Sequence, residues 1–113
     1  MNVTTGTRNA VYQRDNFACI YCGTMRDLTL QERRRGAHAS HEPEGLVTMC
    51  RTHVERLDTD QHFADLALNY GYRVRGFDVL TNRAVYYTTD DEWFTLTDRG
   101  TRIRAGETAD HGD

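Results

Sequence analysis

Two pairs of soft metal ligands constrain this chain more than any other feature. The first is Cys19-Ile20-Tyr21-Cys22-Gly23, and the second is Cys50-Arg51-Thr52-His53. Residues 23 to 49, 27 in all, separate them. In the first pair a tight turn presents two thiolates, and Gly23 is free to take the backbone conformation that aims amides at sulfur. In the second, i, i+3 spacing on a helical turn puts both side chains on one face, and a helix start there favours the thiolate. Three thiolates and one imidazole fill a tetrahedral shell with no open position, which is the pattern of a structural rather than a catalytic zinc ion. The competing reading is three reduced cysteines packed as small hydrophobes with no metal.

Such a pin would help a chain of this size. At 113 residues it is expected to be one domain, over residues 1–105, with a polar and disordered tail over 106–113. A core this small gains from a metal that ties distant segments together. The cysteines number three, an odd count, and no long apolar run accompanies them, so a secreted disulfide framework and a membrane span are both disfavoured. A reducing cytoplasm is the expected compartment.

The net charge of −3 conceals an asymmetry. Residues 1–56 carry eight Arg against six acidic residues, whereas residues 57–113 carry six Arg against eleven. Any surface for nucleic acid therefore belongs to the amino-terminal half.

Along the chain, Thr7 can cap a short helix running to about Asp15 and presenting Ala10, Val11 and Tyr12. Residues 16–23 have the composition of a short hairpin around the first cysteine pair. Asp27 to Gln31 alternates as a strand, residues 33–45 read as a loop, and Leu46 to Met49 is a strand or the approach to a helix. The best-supported helix spans Thr59 to Tyr70, with Phe63, Leu66, Ala67 and Tyr70 on one stripe, Asp58 or Thr59 as cap and Gly71 as terminator. Tyr72 to Val74, Ala84 to Thr88 and Trp93 to Thr97 are β-branched and aromatic, and suggest a small antiparallel sheet.

These residues resemble the HNH endonuclease family, especially its short bacteriophage-type members. The similarity runs from Arg8 to Asp15 into the Cys19–Gly23 knuckle, then through Asp27-Leu28-Thr29-Leu30-Gln31, Arg33 with Arg35-Gly36, and Leu46-Val47 before Cys50. It extends more loosely to about residue 100. The fold it implies is α+β: a zinc-pinned ββα core, extended by a further helix and a small C-terminal antiparallel sheet. In the family a His ends the first strand as general base, an Asn orients it, and a later His helps hold a catalytic divalent cation. Those positions fall here on Glu32, Gly45 and Val54, and none matches. The resemblance thus implies the scaffold without its hydrolytic chemistry. Only if Glu32, His38 and His41 formed a rearranged metal centre would the chain be an active endonuclease.

Two binding roles remain. Arg33, Arg34 and Arg35, with Arg51 and Arg56 nearby, can contact a nucleic-acid backbone, although Glu32, Glu42, Glu44 and Glu55 dilute the patch. Alternatively the scaffold binds a protein, in the phage setting a host factor whose perturbation inhibits the host or excludes other phages. The aromatic set Tyr70, Tyr72, Phe77, Tyr86, Tyr87, Trp93 and Phe94 would supply anchors of the kind interfaces favour. The protein partner is the favoured expectation.

Overall fold

The computed structural model describes residues 3–36 and 39–106. The expected disordered tail therefore lies outside the described residues, except for Gly106. The chain is α+β. Helix α1 (Thr5–Arg14) leads through the cysteine turn to strand β1 (Leu28–Glu32) and, after a 3-10 turn at Pro43–Gly45, to β2 (Leu46–Cys50). Helices α2 (Arg51–Thr59) and α3 (Gln61–Asn69) follow, then a 3-10 turn at Leu80–Asn82 and strands β3 (Val85–Tyr87), β4 (Glu92–Leu96) and β5 (Arg102–Arg104).

Strands β1 and β2 form an antiparallel pair with Leu28 opposite Cys50 and Glu32 opposite Leu46. All five residues of β2 are buried, because both faces of the pair are covered. Leu30 and Leu46 on one face pack with Val11 of α1, while Val47 and Met49 on the other join Leu57, Phe63 and Ala67 of α2 and α3. A strand covered on both sides loses its alternation, so Leu46 to Met49 reads as a plain apolar run. The second sheet, in order β3-β4-β5, closes the larger core with Val85, Tyr87 and Leu96.

Several boundaries differ from the sequence reading, each for a local reason. Thr4 rather than Thr7 caps α1, since its hydroxyl accepts from the Thr7 amide at 3.1 Å. The expected helix from Thr59 begins two residues later, because Asp60 is extended (φ −128°) and its carboxylate caps the Phe63 amide at 3.3 Å. That break separates α2 from α3. Residues 16–23 form successive turns instead of a hairpin. Tyr72 to Val74 is not a strand: the Arg73 amide donates to the Ala67 carbonyl at 3.1 Å and the Val74 amide to the Arg33 carbonyl at 2.8 Å. The third strand of the sheet is instead β5, whose Arg-Ile-Arg composition hides it.

Two buried arginines join these elements. Arg33, the largest fully buried side chain, donates to the carbonyls of Gly71 (2.9 Å), Glu44 (2.8 Å), Leu80 (3.1 Å) and Arg83 (2.8 Å). Burial, and next the nearby Arg14 charge, push its pKa down to about 10. Arg14 forms a two-bond pair with Asp15 and also donates to the Pro43 and Leu46 carbonyls at 2.8 and 2.7 Å. Burial opposes the Arg14 charge, but Asp15 and Tyr87 more than offset it and hold its pKa above the ordinary arginine value. Asp15 in turn accepts from the Thr48 amide at 2.9 Å and from the Tyr87 hydroxyl, so one carboxylate ties α1, β2 and β3 together. Gly71 ends α3 at φ +80°, and a Cβ there would lie 2.0 Å from the Ala84 carbonyl oxygen. Only glycine fits.

Replacing Arg33 strands several buried carbonyls at once. Arg33→Met is expected to lower unfolding free energy in urea by about 3 kcal/mol or more, whereas exposed Arg75→Met should change it by less than about 0.5 kcal/mol. A loss at Arg33 below about 1 kcal/mol would contradict the clamp.

Candidate metal centre

The knuckle is set by turns at both of its ends. After α1 the chain passes through two consecutive left-handed residues, Asn16 (φ 59°) and Phe17 (φ 54°), and the Phe17 amide returns to the Tyr12 carbonyl at 2.8 Å. The Cys19 amide then donates to the Thr24 carbonyl and the Gly23 amide to the Cys19 carbonyl, both at 2.8 Å. Gly23 takes φ +80° as expected, but the amide that reaches the Cys22 sulfur is that of Thr24. The turn is wedged between the two sheets: the Ile20 amide bonds the Thr48 carbonyl at 3.0 Å, and the Thr88 amide bonds the Ile20 carbonyl at 3.2 Å.

The second pair sits where β2 turns into α2. Cys50 is the residue before the first helical residue, so its sulfur lies at the positive end of the α2 dipole. His53, one turn on, points its Nδ1 at Cys50 Sγ at 3.1 Å, and Cys22 Sγ lies 3.8 Å from Cys50 Sγ. The ligand atoms of Cys19, Cys22, Cys50 and His53 all lie within 4.8 Å of one another, and this group can hold a metal ion. Cys19 and Cys50 are buried, His53 is half-buried and Cys22 faces solvent. The Tyr21 ring meets His53 edge-on with centroids 4.9 Å apart, and Phe63 flanks the imidazole at 5.3 Å.

Although Cys22 lies at the surface, partial desolvation of its sulfur and the adjacent Cys19 and Cys50 thiols raise its pKa to about 11, while partial burial and Arg56 lower that of His53. Without a metal, the Cys22 thiol is held in its protonated form beside a His53 imidazole whose charged form is disfavoured. A divalent cation inverts that balance, since its charge deprotonates the thiols it binds and a neutral imidazole is already the ligating form. The donor chemistry therefore fits a metal ion.

Of the remaining sequence-predicted residues, Glu32, His41 and Gly45 fall at the opposite end of the β1–β2 pair. His41 Nε2 contacts Glu32 Oε2 at 2.6 Å, with both side chains partly exposed. His38 lies outside the described residues, and among the described residues Glu32 and His41 belong to no group of three metal-binding side chains. Gly45 is buried against Ser40, whose Cβ is 2.6 Å from where a Gly45 Cβ would stand, so no side chain fits there. Val54 packs against the main core.

The arginine patch is smaller than the sequence suggests. Arg33 is withdrawn into its carbonyl cage, because a guanidinium inside a fold can satisfy several carbonyls at once. Arg34 donates to the Asp78 carbonyl, Arg35 pairs with Asp58 at 3.4 Å, Arg51 is exposed on α2 and Arg56 pairs with Asp60 at 2.9 Å. The Arg14–Asp15–Tyr87 cluster was not legible, although adjacent opposite charges at a helix end are a signal for it. Compared with known proteins, the chain matches no family model, no curated protein and no solved structure.

The purified protein is expected to carry one equivalent of metal ion and to lose it, with much of its thermal stability, on chelation or in Cys50→Ser. Less than half an equivalent, with no change in the unfolding transition after chelator, would remove the metal centre.

Proposed function

We propose that the chain is a zinc-pinned, HNH-like scaffold that has lost hydrolytic chemistry and serves as a binding module for a protein. Zinc is the ion of choice for three sulfurs and one imidazole. Zinc–sulfur bonds of about 2.3 Å set a tetrahedral edge of about 3.8 Å between sulfurs. The 3.8 Å separation of Cys22 and Cys50 agrees with that edge. With four protein ligands the ion has no place for water or substrate, so its role is to hold the turn and α2 together.

The observation that carries the loss of hydrolysis is Gly45. The family resemblance needs an orienting amide side chain there, and Ser40 occupies the space where its Cβ would be. Val54, at the position of the cation-binding His, contributes packing instead. With the orienting group and a metal ligand both missing, what is left of such a cooperating unit retains little of the rate. Burial of Arg33 also weakens the nucleic-acid reading, since the run of three arginines presents only two at the surface. The resemblance to short bacteriophage-type proteins makes a host protein in the host cytoplasm the partner class.

One contact favours a second reading. Glu32 and His41, at 2.6 Å, are spaced to share a proton or to offer two ligands to a divalent cation, as an atypical endonuclease would require. Incubating supercoiled plasmid with the protein and Mg, Mn, Ni or Zn ions separates the two. The binding-module reading expects no nicking above a buffer control. Nicking that disappears in both Glu32→Gln and His41→Ala would establish the endonuclease instead.

A further inference from the structure

A cleft of about 590 Å³ opens between α3 and the segments that carry Arg34–Arg35 and Arg73–Phe77. Its floor is apolar, made by Leu57, Ala64, Leu68 and Val74. Ala64 and Leu68 stand one turn apart on α3, so they form a continuous strip. The walls are cationic. Including Arg33 beneath them, the lining sets five guanidiniums against two carboxylates, Asp58 and Asp65, in a chain whose net charge is −3.

Three observations make this cleft more than a solvated surface. Arg33 is buried, and the partners it holds are neutral carbonyls, so its charge adds uncompensated positive potential to the cleft. Arg35 and Arg73 already converge on one carboxylate, Asp58, at 3.4 and 3.3 Å, which shows that the walls are spaced to share a carboxylate oxygen. Finally, the Nε atoms of Arg34 and Arg73 are buried with no acceptor, which leaves two donors unmet beside the cleft. At its lip Phe77 is 77% exposed, and Val79 close by in sequence is 59% exposed.

Apolar floor, excess guanidinium and an aromatic lip specify an occupant with both characters. We propose that this cleft docks an acidic peptide segment of a partner protein, one that seats an apolar side chain on Leu68 and Val74 and flanks it with carboxylates. Guanidinium forks pair with carboxylates at two points each, and an interface core of this type combines an apolar anchor with a charged rim. The inference rests on the binding-module reading and supplies the chemistry of its partner.

Selection from a random peptide display library on the zinc-loaded protein tests it. Enriched peptides should carry two or more Asp or Glu around one aromatic or long aliphatic residue. Fluorescence anisotropy of a selected peptide should show affinity falling about tenfold in Arg34→Gln/Arg75→Gln and about tenfold in Phe77→Ser, changes at the surface that leave the Arg33 cage intact. Affinity should also fall as salt rises. Selection without acidic enrichment, or peptide affinity unchanged in both variants, would overturn the docking site. So would displacement of the peptide by a nucleoside monophosphate or a single-stranded oligonucleotide that binds more tightly with the same dependence on Arg34 and Arg75. Plasmid nicking would defeat the underlying reading by a separate measurement.

Discussion

The guanidinium of Arg33 is the constraint on which the arrangement of the carboxy-terminal half depends. It leaves the end of β1 and gathers carbonyls from three separate stretches: the turn before β2, the end of α3, and the turn before β3. Burying a guanidinium costs several kcal/mol, and bonds from a charged donor to carbonyls return about 1.5 to 3 kcal/mol each. With four such bonds the balance favours the fold. It favours this fold in particular, because any other packing of those turns leaves the charge and the carbonyls unmatched. Arg14 does the same for α1, with Asp15 added as a counter-ion and as the acceptor for Thr48 and Tyr87.

Between these clamps the β1–β2 pair acts as a spacer with different chemistry at its two ends. At one end Cys50, opposite Leu28, enters the metal-binding group; at the other, Glu32 opposite Leu46 meets His41, and Arg33 enters its cage. Four strand steps put about 13 Å between the ends. A metal ion held by Cys19, Cys22, Cys50 and His53 would fix α2 to the knuckle, while Arg33 fixes α3 and the second sheet to the same hairpin from its far side. Each clamp restrains what the other does not reach.

Sequence alone exposed the parts governed by spacing and hid those governed by burial. The two cysteine-containing pairs, β1, α3 and two of the three strands of the second sheet follow from periodicity and ligand spacing. By contrast, nothing in Arg33-Arg34-Arg35 marks the first arginine as internal. A run of like charge reads as solvated surface, and only the long-range carbonyls at residues 44, 71, 80 and 83 distinguish it. Strand β5 was hidden for a related reason. Arg102 stacks over the Tyr87 and Phe94 rings at 4.4 and 4.2 Å, so a charged residue takes the place over core aromatics where the sequence reading expects an apolar one, in a strand of only three residues. Tyr72 to Val74 misled in the opposite direction, since its backbone amides go to the Ala67 and Arg33 carbonyls rather than to a ladder.

Burial of Arg33 also links two features that look unrelated. The contact that seals Gly45 against Ser40 and the cage that holds Arg33 share one piece of backbone, because the Arg33 amide donates to the Gly45 carbonyl at 2.9 Å while its side chain takes the Glu44 carbonyl. Any side chain at position 45 would push that turn away from Ser40 and, with it, the carbonyl that Arg33 holds. A larger residue there would therefore disturb the clamp for the whole carboxy-terminal half. The same cage that closes this end of the hairpin places an uncompensated cation under the cleft beside α3. The closed turn at Gly45 on one side of Arg33 and the positive potential on the other both follow from how one buried charge is held.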